Sequence, residues 1–398
     1  MEVISLTDDS VTDITLSFSG EYTYAQVSVE SCAGVLVRIT YVDSVEKHCS
    51  KALLKTEILP IDTIKPLEDN CLTLDVGRFR INGGEFSEYK AIIHMLDEIY
   101  ASIANSETDS EVCVEYNFDA NFVQIPSGLS MAVEKTEKLD IMLNSKPVTK
   151  EIGWWIDKGI IKYDISDFVV NGKNTVLLTY IIPSTRKVNN LQGKFESERN
   201  RFFYKIEPES IYICGEFDVK CNVKVSEHIT FYSVECDLSQ QPVFTLVDAT
   251  KKDTKDITTQ GMWFYRGGCE YSGQVYFDGE NEMLLDIESM NCISVKIYVN
   301  ENYVGMIICN KDEMNLTPYL HVGMNKITLV AVGHNRNLMG PHHHIRGTVR
   351  FVGPHTFTGT HEWEDFMNPD ILEERTWTDY YSFVPFGLNK IMVKTLEK

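Results

Sequence analysis

The chain alternates hydrophobic and polar positions in short runs over most of its length, a pattern that predicts β-strands joined by polar turns. Clear examples are Val112–Phe118, Thr175–Ile181 and Lys326–Val332. Strand-like and helix-like runs do not alternate along the sequence, so a parallel α/β fold is not expected. The sequence therefore predicts an all-β protein with minor α content.

One segment has helical spacing instead. From Ser87, a favourable N-cap residue, apolar side chains recur at intervals of three and four as far as Ile103. We therefore predict one substantial helix at residues 87–104, and a second helix-like piece near Trp363–Glu374.

Two stretches about 150 residues apart share three landmarks in the same order. In both, a hydrophobic strand ends in an asparagine, Asn144 or Asn300, and an apolar residue begins the returning strand. A Gly-x-Asn turn then ends at Asn174 or Asn325 and leads into an alternating strand. Asn and Gly tolerate the left-handed backbone of tight turns, and hairpins with return strands are typical of β-sandwiches.

This repeat predicts that residues 128–182 and 284–333 form equivalent units in two jelly-roll-like sandwiches. The first copy carries about five extra residues near Gly153–Lys158. We accordingly divide the chain into three domains: a β-rich N-terminal piece that ends in the helix (1–110), a first sandwich (111–216), and a second sandwich with a C-terminal extension (217–398).

The repeated segments resemble the galactose-binding-like jelly rolls of bacterial glycoside hydrolases of family 2 and of family 106, the α-L-rhamnosidase-like proteins. The first repeated segment runs from LDIMLNSKPV to VNGKNTVLLTY, and the second runs from VKIYVNENYV to GPHHH. The stretches ESIYICGEF and YSFVPFGL resemble the non-catalytic C-terminal part of the second group. The resemblance covers about residues 66–398 and implies tandem sandwiches, a carbohydrate ligand, and an upstream (β/α)₈ catalytic domain or subunit as a partner.

The chain departs from those enzymes because it has no run of about 250 residues with alternating strands and helices, which a catalytic barrel requires. The resemblance therefore implies a non-catalytic accessory region of a glycoside hydrolase, and no catalytic residue is carried over. Two alternatives remain open: a glycosidase whose carboxylate pair lies between the sandwiches, and a structural interaction protein without a ligand. By itself the chain is not expected to hydrolyse glycosides.

The formal charge of −21 disfavours nucleic acid and anionic membranes as partners, because no Lys/Arg cluster offsets it. The first residues, Met1-Glu2-Val3-Ile4, include no basic segment followed by an apolar run, and so predict no export signal. The ten cysteines form no CxxC pair and indicate buried thiols in a reducing compartment. We expect a soluble, cytoplasmic protein.

Candidate carbohydrate contacts are aromatic residues near charged or amide side chains, since a pyranose packs on a ring while polar groups bind its hydroxyls. The alternative for each is an ordinary core ring or a solvated polar side chain. In the pair Trp154-Trp155, neighbouring strand positions point to opposite faces, so one ring is predicted to be core. The candidates are Trp154, Trp155, Asp157, Trp263, Tyr265, Arg266, Glu270, His342, His344 and Trp363.

No motif predicts a bound cofactor. His342 and His344 would share one face of a strand, but no acidic or Cys ligand has a characteristic spacing to them. The acidic run around Trp363 leaves a structural calcium ion open. The sequence contains no HExxH, GxSxG, GxGxxG or Walker-type loop, so zincin, acyl-transfer, dinucleotide and phosphoryl chemistry have no support.

Overall fold

The computed structural model describes residues 52–136, 138–184, 208–239, 242–254, 256–308, 313–340, 342–344, 347 and 378–397, together with short strands within residues 2–38. Strands make up most of the regular structure in these residues, and the all-β prediction is confirmed. The strands described in the N-terminal segment are β1 (Glu2–Ser5), β2 (Val11–Asp13), β3 (Leu16–Ser19), β4 (Tyr22–Ala25) and β5 (Val35–Arg38). β1 pairs with β2 and β5, and β3 pairs with β4.

A hairpin of β6 (Leu53–Ile58) and β7 (Ile61–Pro66) precedes the first sandwich in the chain. The first sandwich is two facing sheets, ordered β10-β9-β11-β17-β13-β14 and β15-β16-β12-β18-β8. Its strands are β8 (Asn70–Leu74), β9 (Val76–Ile81), β10 (Lys90–Ala91), β11 (Ser110–Asn121), β12 (Ser130–Glu134), β13 (Leu139–Leu143), β14 (Lys146–Pro147), β15 (Glu151–Trp155), β16 (Asp157–Asp164), β17 (Gly172–Ile182) and β18 (Ile211–Gly215).

The second sandwich also has two sheets, ordered β26-β25-β28-β23-β7 and β27-β24-β30-β6. The hairpin β6–β7 therefore supplies one strand to each sheet, and Leu59 at its turn lies in the core. The other strands are β23 (Cys269–Phe277), β24 (Glu282–Asn291), β25 (Val295–Val299), β26 (Asn302–Ile307), β27 (Met314–Asn315), β28 (Gly323–Ala331) and β30 (Gly387–Leu396).

The two sandwiches have the same topology, and the first is inserted into the second. Strands β8, β9, β11–β14 and β16–β18 occupy the places that β6, β7, β23–β28 and β30 occupy in the second sandwich. The chain begins the second sandwich with β6–β7, completes the first, and then returns. Residues 53–110 consequently divide between both sandwiches rather than forming a separate N-terminal piece, because their strands pair with distant strands of each.

The asparagine landmarks of the repeat are equivalent in the structure, which confirms that prediction. Asn144 and Asn300 have φ of 50° and 49°, and each donates from Nδ2 to the Oδ1 of its partner asparagine at 2.8 Å. Those partners, Asn174 and Asn325, are fully buried and donate to two carbonyls of the turn before their own strand. A pair of asparagines therefore fixes the hairpin against the return strand in each copy.

Replacing Asn325 with alanine is expected to lower the free energy of unfolding by about 2–4 kcal/mol. The buried carboxamide makes four hydrogen bonds, and its loss removes the partners of partly buried backbone groups of His321 and Gly323. Urea unfolding measures the loss. The exposed Asn302, with one bond of 3.2 Å, provides the matched alanine control and should change stability by about 0.5 kcal/mol or less. Equal losses in the two variants would contradict the assignment.

The predicted helix is present as α1 (Ile92–Ile103), which buries Met95, Ile99 and Ile103. It begins five residues later than predicted, because Lys90–Ala91 form a short strand against β9. Ser87 does not cap it, since its hydroxyl accepts from Phe79 N and donates to Glu88 O. The second predicted helix, Trp363–Glu374, lies outside the described residues.

A linking layer connects the two sandwiches, made of the described residues of 217–268, 334–347 and 378–386. It contains a three-stranded sheet and a pair of strands that extends the first sandwich at β11. Its elements are β19 (Asp218–Cys221), β20 (Val225–Glu227), β21 (Tyr232–Val234), β22 (Phe244–Val247), α2 (Arg336–Met339) and β29 (Tyr381–Phe383). Its aromatic residues join both cores: Trp263 and Phe264 belong to the first and Tyr265 to the second.

Candidate functional site

The candidate site is the hairpin β15–β16, which ends the second sheet of the first sandwich. In the second sandwich the place of β16 is taken by the two-residue strand β27, and no described strand has the place of β15. This long hairpin is the extra segment that the repeat predicts near Gly153–Lys158. It therefore gives the first copy a surface that the described part of the second copy lacks.

The two adjacent tryptophans of β15 have different environments. Trp154 is 56% exposed, whereas Trp155 packs against the first core, edge-on to Tyr212 with ring centroids 5.2 Å apart. The opposite orientation follows from the alternation of side chains along a strand. As predicted, the two rings lie on opposite sides of the strand: Trp155 is half-buried against the core, and Trp154 is exposed.

The hairpin backbone is irregular at the tryptophans. Its register shifts on both sides of Trp154, Gly153 has φ of 130°, and Ile156 has φ of 67°. Positive φ is rare for a β-branched residue, and bulges redirect side chains at sheet edges. The local backbone therefore fixes the direction in which the Trp154 side chain leaves the strand.

Polar side chains hold the hairpin on the sandwich. Glu151 forms an ion pair with Lys135 at 2.8 Å, and Asp164 pairs with Lys150 at 2.6 Å. Asp157 is exposed, but its Oδ1 accepts a hydrogen bond from Gly159 N at 2.6 Å. The second carboxylate oxygen of Asp157, beside the hairpin turn, can accept a further hydrogen bond.

Trp263 and Tyr265, predicted as ligand contacts, are instead buried, with exposed fractions of 3% and 1%. Trp263 packs on Phe383 at 5.3 Å. The Tyr265 hydroxyl accepts hydrogen bonds from Leu67 N and Glu68 N and donates to Gly268 O. These rings lie where the chain passes between the sandwiches, so they stabilise the linking layer and are not accessible to a ligand.

Arg266 and Glu270 are partly exposed, but the structure does not bring them together with the tryptophan hairpin. Arg266 forms an ion pair with Glu68 at 3.3 Å. Glu270 lies on β23 of the second sandwich, where it accepts a hydrogen bond from Ser272 at 3.2 Å. The predicted aromatic-and-charge cluster at 263–270 therefore separates into two core rings and two side chains at the surface.

His342 is buried, contrary to the prediction that it contacts a ligand. Its Nδ1 is 3.2 Å from Asp75 Oδ2 and its Nε2 is 2.9 Å from Asn337 O. The neighbouring His343 places Nε2 3.3 Å from the same carboxylate, and the Tyr381 hydroxyl donates to Asp75 Oδ1 at 2.6 Å. We call Asp75, His342, His343 and Tyr381 the Asp75 cluster. His344 is half-buried beside it.

Asp75 was not among the sequence candidates. Burial raises the pKa of its carboxyl, but hydrogen bonds and charge from His342 and His343 outweigh burial, and the pKa lies well below the usual range. The one sequence signal is an acidic residue between the apolar Leu74 and Val76. Because the cluster joins the first sandwich to the linking layer and is closed to solvent, we interpret it as structural.

The remaining predictions concern metals and distant residues. Among the described residues, no group of three or more His, Cys, Asp or Glu side chains is placed to hold a metal ion. Trp363 and the acidic run around it lie outside the described residues.

No helix in the described ranges is long and apolar enough to cross a membrane. An open cavity of about 660 Å³ lies at one end of the second sandwich, lined in part by Glu57, Tyr276 and Met283, and includes none of the candidates.

No family model matches the sequence, and no curated protein matches it either. Among solved structures, a β-D-mannosidase from Dictyoglomus thermophilum is 11% identical, with a TM-score of 0.27, over 66% of this chain and 31% of that chain. An α-L-rhamnosidase from Streptomyces avermitilis is 11% identical, with a TM-score of 0.27, over 69% and 25%. A GH2 β-galacturonidase from Eisenbergiella tayi is 9% identical, with a TM-score of 0.22, over 65% and 37%.

These similar structures are glycoside hydrolases, and each is matched over a part of its length. The chain spans about a quarter to two fifths of them. At these TM-scores the likeness carries no argument about what this chain does.

Proposed function

We propose that this chain is a non-catalytic carbohydrate-binding accessory region, with Trp154 as the surface on which a sugar ring packs. The observation that carries the proposal is the 56% exposed indole on a hairpin whose next residue, Trp155, is anchored in the core. An aromatic side chain on a strand has few rotatable bonds and loses little conformational freedom on binding. The apolar face of a pyranose suits such a ring, while Asp157 and nearby backbone groups suit its hydroxyls.

The geometry is shallow, and shallow sites bind weakly. A single ring buries little of a sugar, and each hydroxyl contact replaces a contact with water. We expect dissociation constants of about 0.1–1 mM, or roughly −4 to −5.5 kcal/mol. Affinity in this range is useful to a region that holds a catalytic domain near a polymeric substrate. We propose such a domain, in the same protein or as a partner subunit, on the basis of the sequence resemblance.

The test is affinity electrophoresis against a panel of polysaccharides, followed by calorimetry with oligosaccharides of those that retard the protein. Trp154→Ala should reduce retardation at least tenfold without changing the melting temperature. Tyr319→Ala, which removes another aromatic ring that is 48% exposed, is the matched control and should bind normally. Trp155→Ala should lower the melting temperature, because the ring packs against the core.

Two results would overturn the proposal. One is a panel on which Trp154→Ala binds as well as the unmodified protein. The other is steady hydrolysis of aryl glycosides that persists in Trp154→Ala and is lost on substitution of one carboxylate. The second result would favour a glycosidase.

A further inference from the structure

We propose that the outer face of the sheet β26-β25-β28-β23-β7, in the second sandwich, binds an extended acidic polysaccharide whose sugars carry carboxylates. We call it the tyrosine–lysine face and define it by Tyr298, Tyr303, Lys65, Lys296, Lys326 and Glu270. It is separate from Trp154 and does not depend on the function proposed for that residue.

The register of the sheet places a row of aromatic and hydroxyl side chains across this face. Tyr298 is opposite Thr328, Thr328 is opposite Ser272, and Ser272 is opposite Thr63. Directly paired residues point to the same face. Tyr303 continues the row on β26, with its ring 5.6 Å from that of Tyr298. Five strands at about 4.8 Å spacing make a row of about 19 Å, the length of several sugar units.

The face is exposed at both ends of this row. Tyr303 at one end is 57% exposed, and Thr63 at the other end is also exposed, whereas Ser272 in the middle of the row is 7% exposed. Tyr276 lies two rows away on the same face of β23 and is 62% exposed. The inward side chains of the same strands, such as Ile297 and Leu329, are fully buried. The tyrosines are therefore not core residues of the second sandwich. They present rings and hydroxyls to the outside, which suits stacking and hydrogen bonding to sugars.

Lysines flank the row on both sides. The next row runs Met306, Lys296, Val330, Glu270, Lys65, so that Lys296 and Lys65 are three strands apart. Lys326 lies on the other side of the tyrosine row, opposite Gln274. Rows two residues apart along a strand are separated by about 7 Å. All three lysines are exposed, and none is among the described residues that form ion pairs.

The charge of this face is opposite to that of the protein as a whole. The chain has 58 acidic and 37 basic residues, whereas this face has three lysines and two acids, Glu270 and the exposed Asp62 next to Thr63 on β7. A net positive patch on a protein of charge −21 is complementary to an anionic ligand that makes local contacts. The negative electrostatic potential of the whole protein repels a long nucleic acid, because double-stranded DNA carries one phosphate charge per about 1.7 Å of its axis. A polyuronate has a lower charge density and adds the hydroxyls and ring faces that the row suits.

The equivalent face of the first sandwich is covered by a loop of its own chain that contains Phe86 and Tyr89. There Arg78 lies over the Phe86 ring at 4.6 Å and pairs with Glu115 at 2.9 Å. Tyr89 from the same loop donates to Glu115 at 3.0 Å. Arg78 and Glu115 hold the positions that Thr63 and Ser272 hold in the second copy. No described residue covers the second face in this way.

The probe is polygalacturonate, and its fully methyl-esterified form is the matched neutral ligand with the same backbone. At low ionic strength we expect the full chain to be retarded by polygalacturonate in affinity electrophoresis, and at least tenfold less by the ester. The double variant Lys296→Gln/Lys326→Gln should weaken binding at least tenfold, and Tyr303→Ala should weaken it as well. Lys146→Gln/Lys173→Gln removes two exposed lysines from the first sandwich and should bind normally.

The outcomes decide the proposal. The proposal is overturned if polygalacturonate does not retard the chain, or if the methyl ester binds as well as polygalacturonate. It is also overturned if the two double variants weaken binding equally, or if single-stranded DNA binds as tightly as polygalacturonate. Trp154→Ala should leave polygalacturonate binding unchanged, so that failure of this site and failure of the Trp154 platform are distinguishable. Unchanged melting temperatures of the lysine variants, whose side chains are exposed, show that the fold is retained.

Discussion

Asp75→Asn is expected to lower the free energy of unfolding by about 3–5 kcal/mol, because it removes the one charged acceptor shared by three buried side chains. His342 and His343 both direct a ring nitrogen at Asp75 Oδ2, and the Tyr381 hydroxyl donates to Oδ1. An amide in that position presents one oxygen and an NH₂ group to these donors. Urea unfolding of the full chain measures the loss.

The matched control is Asp140→Asn. Asp140 is an exposed acid on β13 of the same sandwich, so its change should alter stability by about 0.5 kcal/mol or less. An Asp75→Asn variant that is as stable as the control would show that the cluster does not hold the linking layer to the first sandwich.

The dependence on pH gives this prediction a second measurement. The pKa of Asp75 is well below that of an unfolded aspartate, about 3.9. A lowered pKa means that the folded state binds fewer protons, so the stabilisation is present above that pH and is lost as the pH falls below it. The difference in unfolding free energy between the unmodified protein and Asp75→Asn should therefore shrink between pH 5 and pH 3. A constant difference would contradict the role of the ionised carboxylate.

Patterns that depend on local spacing were predictable from the sequence. The alternating strands, the helix and the Asn144–Asn300 repeat depend on residues close together in the chain, whose geometry follows from side-chain alternation and turn chemistry. The different environments of Trp154 and Trp155 follow from the same alternation. The helix start was placed too early because the segment before Ile92 pairs with β9, and pairing with another strand has no local signature.

Features that depend on contacts between distant segments could not be predicted. The insertion of one sandwich into the other is decided by the pairing of β6 and β7 with strands more than 200 residues away. Trp263 and Tyr265 lie close in sequence to the charged residues Arg266 and Glu270, which suggested an exposed site. In the structure the two rings instead pack in the two cores. The tyrosine–lysine face combines residues from strands as far apart in sequence as β7 and β28, and becomes visible only when the register is known.

The loop before Trp263 provides the clearest case of such a hidden contact. Residues 248–256 read Asp-Ala-Thr-Lys-Lys-Asp-Thr-Lys-Asp, which is the composition of a solvated loop. Lys252 is nevertheless buried, and its ammonium group donates to Asp218 Oδ1 and, at 2.9 Å, to Gln260 O. Asp218 Oδ2 accepts from the backbone and the hydroxyl of Thr250. The pair fixes this loop, and through it the segment that joins the two cores.

Lys252→Met is accordingly expected to lower the free energy of unfolding by about 3–5 kcal/mol, since it leaves the Asp218 charge buried without its cation. The double variant Asp218→Leu/Lys252→Met removes both charges and should be less destabilised than Lys252→Met alone, although Thr250 N then lacks its acceptor. The exposed pair of Lys150 and Asp164 is the matched control, and Lys150→Met should destabilise the protein far less than Lys252→Met, because solvent screens the exposed pair. Urea unfolding of the unmodified protein, Asp218→Leu, Lys252→Met and the double variant gives the coupling energy between Asp218 and Lys252. If the single substitutions at these two positions simply add in the double variant, the buried pair is not what holds the loop.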